Sequence, residues 1–395
     1  MKNERSFLSS FNGMGVLSSV IAVLIGLFAG LIILLLSNPS QGFAGFIIVL
    51  TGGFSDLFNL GQVLYYATPI IMTGLSVGFA GKTGLFNIGA SGQFTFGMYA
   101  AILVAVRLSH LPGPILCIAA LLAGLAAGAL WGFVPGLLKA LCNVHEVIAC
   151  IMMNYIGMYL VNYLIVVTEI YDRNKNMTTS VPSRVNLPTL GLDTLFSAAT
   201  TGGAVRPSSV GSGILIAVIT CIFIYIILEK TKFGYELKSC GYNREAAHYA
   251  GINEKKGIML SMAIAGGLAG LGGAMLALAG AGRGIKVVDV LVPEGFMGIP
   301  VALLAFNNPL GIIFTGFLIA YLSQSGFLLQ RLAFAPEIIE IIIAIIIYFS
   351  ALALLLQGVI QYFMRGKKQK MKVTAEESNG ESNRGDKVPE RGESQ

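Results

Sequence analysis

Val16-Leu-Ser-Ser-Val-Ile-Ala-Val-Leu-Ile-Gly-Leu-Phe-Ala-Gly-Leu-Ile-Ile-Leu-Leu-Leu36 carries no charge along its whole length. A helix needs about 20 mainly apolar residues to cross the hydrocarbon of a bilayer, and this run meets that length. Met1 to Arg5 gives it a basic lead, but the run is too long for a secretory signal core and lacks a small-residue cleavage pattern. It reads as the first span. The same criterion selects 60–80, 85–106, 113–138, 145–168, 211–229, 257–281, 291–306, 309–325 and 336–358. The expected fold is all-α, a polytopic transmembrane helical bundle of about ten spanning helices. Segments 291–306 and 309–325 are short and parted only by Asn307, Asn308 and Pro309. That junction reads either as a tight turn or as a broken helix beside a protein-lined cavity.

Composition agrees with lipid as the main solvent. Hydrophobic residues make up 55% of the 395 and charged residues 12%, where a soluble domain carries roughly a quarter charged. The charges are clustered beside the apolar runs. With the amino terminus in the cytoplasm, Lys and Arg divide 18 to the cytoplasmic side and 8 to the other, as the positive-inside rule requires. Both termini are then cytoplasmic and the chain is a multi-pass protein of the cell membrane. Residues 1–15 form a cytoplasmic N-terminus and 16–358 the transmembrane domain, with an external loop at 169–210 and a cytoplasmic loop at 230–256. Residues 359–395 form a polar cytoplasmic tail of disordered composition.

Several function classes are disfavoured. The net charge of +6 sits next to spans, where it sets orientation rather than binding nucleic acid. Five cysteines, mostly within apolar runs, suggest no disulfide framework. His110, His145 and His248 are not at metal-ligand spacing, and no nucleophile–base or paired-carboxylate motif points to an enzyme. Almost no ionisable residue lies near a span centre; Glu146, Glu337 and Glu340 lie toward ends, and Lys82 and Lys139 at boundaries. Proton relays use such charges, so their scarcity argues against proton-driven transport. Energy then comes from another chain, or the protein is a channel or self-sufficient secondary transporter.

The 230–256 loop shows where another chain could attach. Asn243 can cap a short helix from Arg244 to Ala250, ended by Gly251. Ala246, Ala247 and Ala250 would give it a small-residue face beside Tyr242 and Tyr249, with Glu245 in its first turn. Such a shape suits a partner's cleft; a solvated helix between two spans is the competing reading.

Gly241-Tyr-Asn-Arg-Glu-Ala-Ala-His-Tyr-Ala-Gly-Ile252 resembles the coupling-helix loop of the permeases of ATP-binding-cassette importers, in the branched-chain amino-acid, simple-sugar and nucleoside group. Gly84-Leu-Phe-Asn-Ile-Gly-Ala-Ser-Gly-Gln93 is a second match, with Ser91 where close variants usually carry Glu. His145-Glu-Val-Ile-Ala-Cys-Ile-Met-Met-Asn-Tyr-Ile156, Gly295-Phe-Met-Gly-Ile-Pro-Val-Ala-Leu-Leu304 and Asn307-Asn-Pro-Leu-Gly311 follow in the expected order. Together they cover most of 60–358. The resemblance implies two paired permeases, each resting its coupling helix on a cytoplasmic ATPase. The second permease is expected to be a different homologous chain, and an external substrate-binding protein, a lipoprotein in related systems, delivers the solute. ATP and Mg belong to the ATPase and this chain binds no cofactor; its glycine runs lack the P-loop Lys.

Gly124, Gly128, Gly132 and Gly136 recur every four residues, as do Gly266, Gly270 and Ala274. These spacings predict close helix contacts. Asn87, Gln93, Asn154, Tyr155 and Tyr65, with Phe86 nearby, are candidates for the substrate pathway, since amides bond hydroxyls and base edges and aromatic faces stack on rings. Helix gluing is the alternative role for the amides. On one helix Asn87 and Gln93 would lie some 120° apart, so only one should face the path. The wording around Gly84–Gln93 resembles nucleoside permeases, which makes nucleosides the leading substrate class, ribose-like sugars second and branched-chain amino acids third.

Overall fold

The computed structural model describes residues 13–199, 205–280, 284–335 and 337–351. The expectations for residues 1–12, the end of the last span and the 359–395 tail lie outside the described residues. Helices dominate: α1 (Gly13–Ser37), α2 (Gly42–Thr51), α3 (Leu57–Lys82), α4 (Ala90–Arg107), α5 (Gly113–Cys142), α6 (Glu146–Val167), α7 (Leu192–Leu195) and α8 (Gly213–Lys230). They are followed by α9 (Lys232–Tyr242), α10 (Arg244–Tyr249), α11 (Glu254–Ala277), α12 (Pro293–Phe296), α13 (Gly298–Leu304), α14 (Pro309–Leu329) and α15 (Glu337–Ala351).

Among the described residues seven helices are long and apolar enough to cross a membrane: α1, α3, α5, α6, α8, α11 and the segment beginning with α14. This makes the chain a multi-pass membrane protein. The α4 helix falls short of that measure because Ser91, Gln93 and Thr95 occupy its first turns, and α15 has 15 described residues. The expected helix 291–306 is corrected: it is not continuous. Residues 293–304 form two short helices, which rise only about 18 Å against a hydrocarbon core of about 30 Å. They run beside α3: a Cβ on Gly298 would collide with the Thr73–Gly74 backbone, and one on Gly81 would meet the Asn307 amide at 2.6 Å. Of the two readings of the Asn307–Asn308–Pro309 junction the structure adopts the turn: Thr315 Oγ1 donates to Val301 O at 2.9 Å, so α14 folds back along α13.

The centre is built from α3 and α11, whose most apolar windows are 89% and 72% buried, against 22% for α1 and 28% for α8. The outer helices expose Leu24, Phe28, Ile219 and Phe223, apolar side chains of the kind lipid would cover. The glycine spacings act as expected. A Cβ on Gly128 would lie 2.7 Å from the Gly270 Cα, and one on Gly136 would lie 2.8 Å from the Met262 Cβ. Backbones meet where side chains would otherwise hold them apart.

The 169–210 segment is packed rather than a free loop. It contains two hairpins, β1 (Tyr171–Asp172) with β2 (Met177–Thr178), and β3 (Ala198–Ala199) with β4 (Val205–Arg206). Leu187 N donates to Leu278 O at 2.8 Å, and Thr178 N to Ile285 O at 3.0 Å. Its own Ile170 and Val185 are fully buried.

Candidate functional site

The α9–α10 element is the larger part of the 230–256 segment. Thr231 caps α9 by accepting from Gly234 N at 3.1 Å, and Lys238 ties α9 to α8 through Glu229 at 2.9 Å. Leu237 and Cys240 are buried with Phe233 half-buried beside them. That spacing, with Thr231 before it, is the signal by which α9 could have been found in the sequence. Burial pushes the Cys240 thiol up, with Glu254 adding to the shift.

The α10 helix has the ends its sequence predicts. Asn243 Oδ1 accepts from Ala246 N at 3.0 Å. At the other end Ile252 N donates to Ala247 O at 3.0 Å and Gly251 N to His248 O at 2.9 Å, with Gly251 at φ 80°. This is a Schellman closure, which satisfies the last carbonyls and favours glycine at that position. The expected alanine face is corrected at one residue: Ala247 is 3% exposed and turned inward. Ala246, Ala250 and Glu245 face outward, between Tyr242 and Tyr249, which are 90% and 91% exposed. A groove of about 770 Å³ opens between α9 and α10, walled by Tyr235, Glu236, Tyr242, Ala246 and Ala250. Tyr242 at the groove and Tyr249 beyond it are exposed aromatics of the kind a protein interface uses as anchors.

This element is joined to the bundle by backbone. A Cβ on Gly241 would lie 2.8 Å from both Gly84 N and the Thr83 carbonyl carbon. Gly84 itself has φ 72°, and Thr83 Oγ1 bonds Ser261 Oγ. Beyond this turn lies a buried polar cluster. Asn87 Nδ2 donates to Gln93 Oε1 at 2.8 Å and Gln93 Nε2 returns to Asn87 Oδ1 at 3.0 Å. Asn87 Nδ2 also donates to Ser76 Oγ at 3.0 Å. Asn154 accepts from Gly92 N at 2.8 Å and donates to Ile88 O at 3.0 Å.

The helical-rotation expectation for Asn87 and Gln93 therefore fails. Asn87 lies in the non-helical stretch before α4, so the two amides face one another. Of the six pathway candidates, Asn87, Gln93 and Asn154 come together, each at most 2% exposed. Phe86 packs beside Val77 and Ala90. Tyr65 belongs to a separate cluster with Phe94 and Met98, and Tyr155 is 48% exposed on α6. The amide pair spends its hydrogen-bonding capacity within the chain, which is the helix-gluing geometry.

The family described as the permease component of the branched-chain amino acid transport system matches residues 59–351. The chain belongs to this family of permeases. Its members serve ATP-binding-cassette transporters and are not themselves enzymes, so an ATPase and partner permease subunits go with the chain. It is similar to the guanosine ABC transporter permease protein NupP of Bacillus subtilis, at 37% identity over 84% of this chain and 92% of that one. It is also similar to the nucleoside ABC transporter permease protein NupB of Lactococcus lactis, at 33% identity over 87% of this chain and 92% of that one. A glucose ABC transporter permease protein of Haloferax volcanii is 32% identical over 74% of this chain and 76% of its own.

Proposed function

We propose that the permease carries nucleosides into the cell, as one half of a pathway driven by ATP hydrolysis on a partner subunit. The observation that carries this reading is the near full-length likeness to a guanosine permease protein. In it the chain crosses the membrane ten times with both termini in the cytoplasm, and the broken segment leading through α12 and α13 makes one crossing. The 169–210 segment is then external and the α9–α10 element cytoplasmic. There α10 sits in the ATPase with Tyr242, Glu245, Ala246, Tyr249 and Ala250 at the contact, while Asn243 and Gly251 shape its ends and Ala247 fastens it to the bundle. The second permease is a different homologous chain, and an external binding lipoprotein delivers the solute. The role of Asn87, Gln93 and Asn154 is to hold the turn behind the coupling element rather than to touch solute.

A sugar is the second reading, favoured by the likeness to a glucose permease protein. Uptake of labelled guanosine, ribose and leucine, compared in cells with and without the gene, separates them. Loss of guanosine uptake on deletion is expected; loss of ribose uptake alone overturns the nucleoside reading. Purification in mild detergent should bring down an ATPase, and its absence would sink the coupling role of α10.

A further inference from the structure

Two of the outer helices turn pure hydrocarbon outward: Ile118 and Leu122 on α5, and Ile219 and Phe223 on α8, are 59–65% exposed. At comparable exposure α6 presents Tyr155, Tyr159 and Tyr163, which are 48%, 56% and 63% exposed. The rotation of α6 is fixed from behind. Asn154 holds the Gly92 amide and the Ile88 carbonyl, and Cys150, Gly157 and Val161 share its buried stripe. The three tyrosines fall on the opposite face, each about 40° and 6 Å on from the last. Of the pathway residues expected from the sequence, Tyr155 alone lies on this face.

Depth makes these tyrosines costly if lipid covers them. The helix has 22 residues, so Tyr155 and Tyr159 stand within about 4 Å of its middle. Tyrosines that face lipid gather at the membrane–water boundaries, where the hydroxyl finds water or headgroups. At mid-depth hydrocarbon offers no partner, and an unbonded hydroxyl is unfavourable there. Among the described residues none of the three hydroxyls is hydrogen-bonded. The face therefore calls for water or a polar solute against it. No charged residue stands between Glu146 and Glu169, so the solute it suits is uncharged. Toward the end of α6 that leads into the 169–210 segment the polar line continues, where Asn162 Nδ2 donates to Val288 O at 3.0 Å and Asp289 Oδ1 at 3.3 Å.

We infer that the outward face of α6 is this chain's wall of the solute path, with Tyr155, Tyr159 and Tyr163 as successive rungs for a base-bearing solute. Each ring offers a face for the base to stack on, and each hydroxyl both donates to and accepts from base edges and ribose hydroxyls. Three similar rungs give several weak contacts in place of one strong site, which is what passage requires. The class of solute rests on the nucleoside reading above; the position of the wall does not.

The test uses the whole transporter in membrane vesicles, with Cys142→Ala removing the exposed native thiol; Cys117, Cys150, Cys221 and Cys240 are buried. Tyr155→Cys, Tyr159→Cys and Tyr163→Cys are each treated from either side with a small charged methanethiosulfonate, which reacts in water and not in hydrocarbon. Ile219→Cys on α8 is the lipid-facing control, and permease abundance is measured for each. The three should react severalfold faster than Ile219→Cys, and guanosine should slow them. Tyr159→Leu should raise the guanosine concentration for half-maximal uptake about tenfold, the scale of one lost stacking partner, and Tyr159→Phe, which keeps the ring, by less. Reaction at all three positions no faster than at Ile219→Cys means that lipid or a dry protein contact covers α6, and overturns the assignment. Labelling that no transported solute slows, or wild-type concentration dependence in Tyr159→Leu, overturns it too. Uptake of ribose in place of guanosine, with ribose slowing the labelling, leaves the wall standing and overturns the nucleoside reading.

Discussion

Gly128→Ala tests the close contact between α5 and α11. The new Cβ would overlap the Gly266 carbonyl oxygen and stand 2.7 Å from the Gly270 Cα, where ordinary contact begins at 3.4 Å. Both obstacles are backbone, so no rotamer change relieves them. The α5 and α11 axes must part by at least about 0.7 Å to restore the Gly270 contact and by more to clear the carbonyl oxygen, and a gap of about 0.5–1 Å forfeits a quarter to a half of each van der Waals well, at ~0.1–0.2 kcal/mol per atom pair. Over several tens of pairs the loss is about 1–3 kcal/mol, the cost typical of overpacked interiors. Gly267→Ala is the internal control. It makes the same chemical change on the facing helix α11, one residue from the Gly266 that Gly128 meets, but its Cβ finds its nearest neighbour at 3.4 Å. Thermal unfolding of the purified permease in detergent should show Gly128→Ala melting clearly below wild type and Gly267→Ala near it. Equal melting of the two variants would refute the argument that backbone contact along this stripe sets the packing.

Further outcomes follow from the site. Gln93→Leu strands the Asn87 amide in a fully buried place and should cost about 1–3 kcal/mol in the same melting assay, whereas Asn87→Leu combined with Gln93→Leu should cost less than the two single losses added. Gly241→Ala drives a Cβ into the Gly84 and Thr83 backbone at 2.8 Å; it should lower solute uptake severalfold at equal permease abundance, and unchanged uptake would show that this joint tolerates displacement. Cys240 is 5% exposed, with a thiol pushed up first by burial, while Cys142 is exposed. Maleimide at neutral pH should therefore modify Cys142 well before Cys240. A raised thiol pKa in the folded state contributes stability that is full below the ordinary thiol range, near about 8.5, and is lost as pH rises through the raised value. Cys240→Ala should accordingly flatten the fall of melting temperature at alkaline pH.

What could be read from the sequence was what depends on neighbours along the chain. The apolar run Val16–Leu36 differs little from α1 at Gly13–Ser37, because length and hydropathy suffice to define it. The ends of α10 were equally legible, since Asn243 and Gly251 act within four residues of where they stand. The stripe on α5 and α11 could be recognised because a four-residue repeat of glycine has few uses other than close approach. Long-range contacts decided the rest. The α4 helix begins at Ala90 rather than near 85 because Asn87 is held out by Ser76 and Gln93. Residues 293–304 break because Gly295 and Gly298 lie against the Ser91 and Thr73 backbones. The α2 helix is a ten-residue apolar piece, too short for a spanning criterion to select.

The same contacts leave the line from the α9–α10 element to α12 with little slack. Gly241 meets Gly84 backbone to backbone. The turn after Gly84 is tied down by the Asn87–Gln93 pair, and Ser91, four residues past Asn87, holds Val292 and lies against Gly295. Glu294 sits between those two residues. Each joint is either backbone on backbone or a hydrogen bond made by a buried side chain, so side-chain rotation offers little slack along the line. Spatial continuity is not itself coupling. It does remove the usual way in which a displacement is dissipated, because a flexible side chain at any joint would turn before the next element moved. A Ser at position 91 serves that purpose better than a longer side chain would: its hydroxyl reaches the Val292 carbonyl while α4 and α12 remain close enough for Gly295 to touch it.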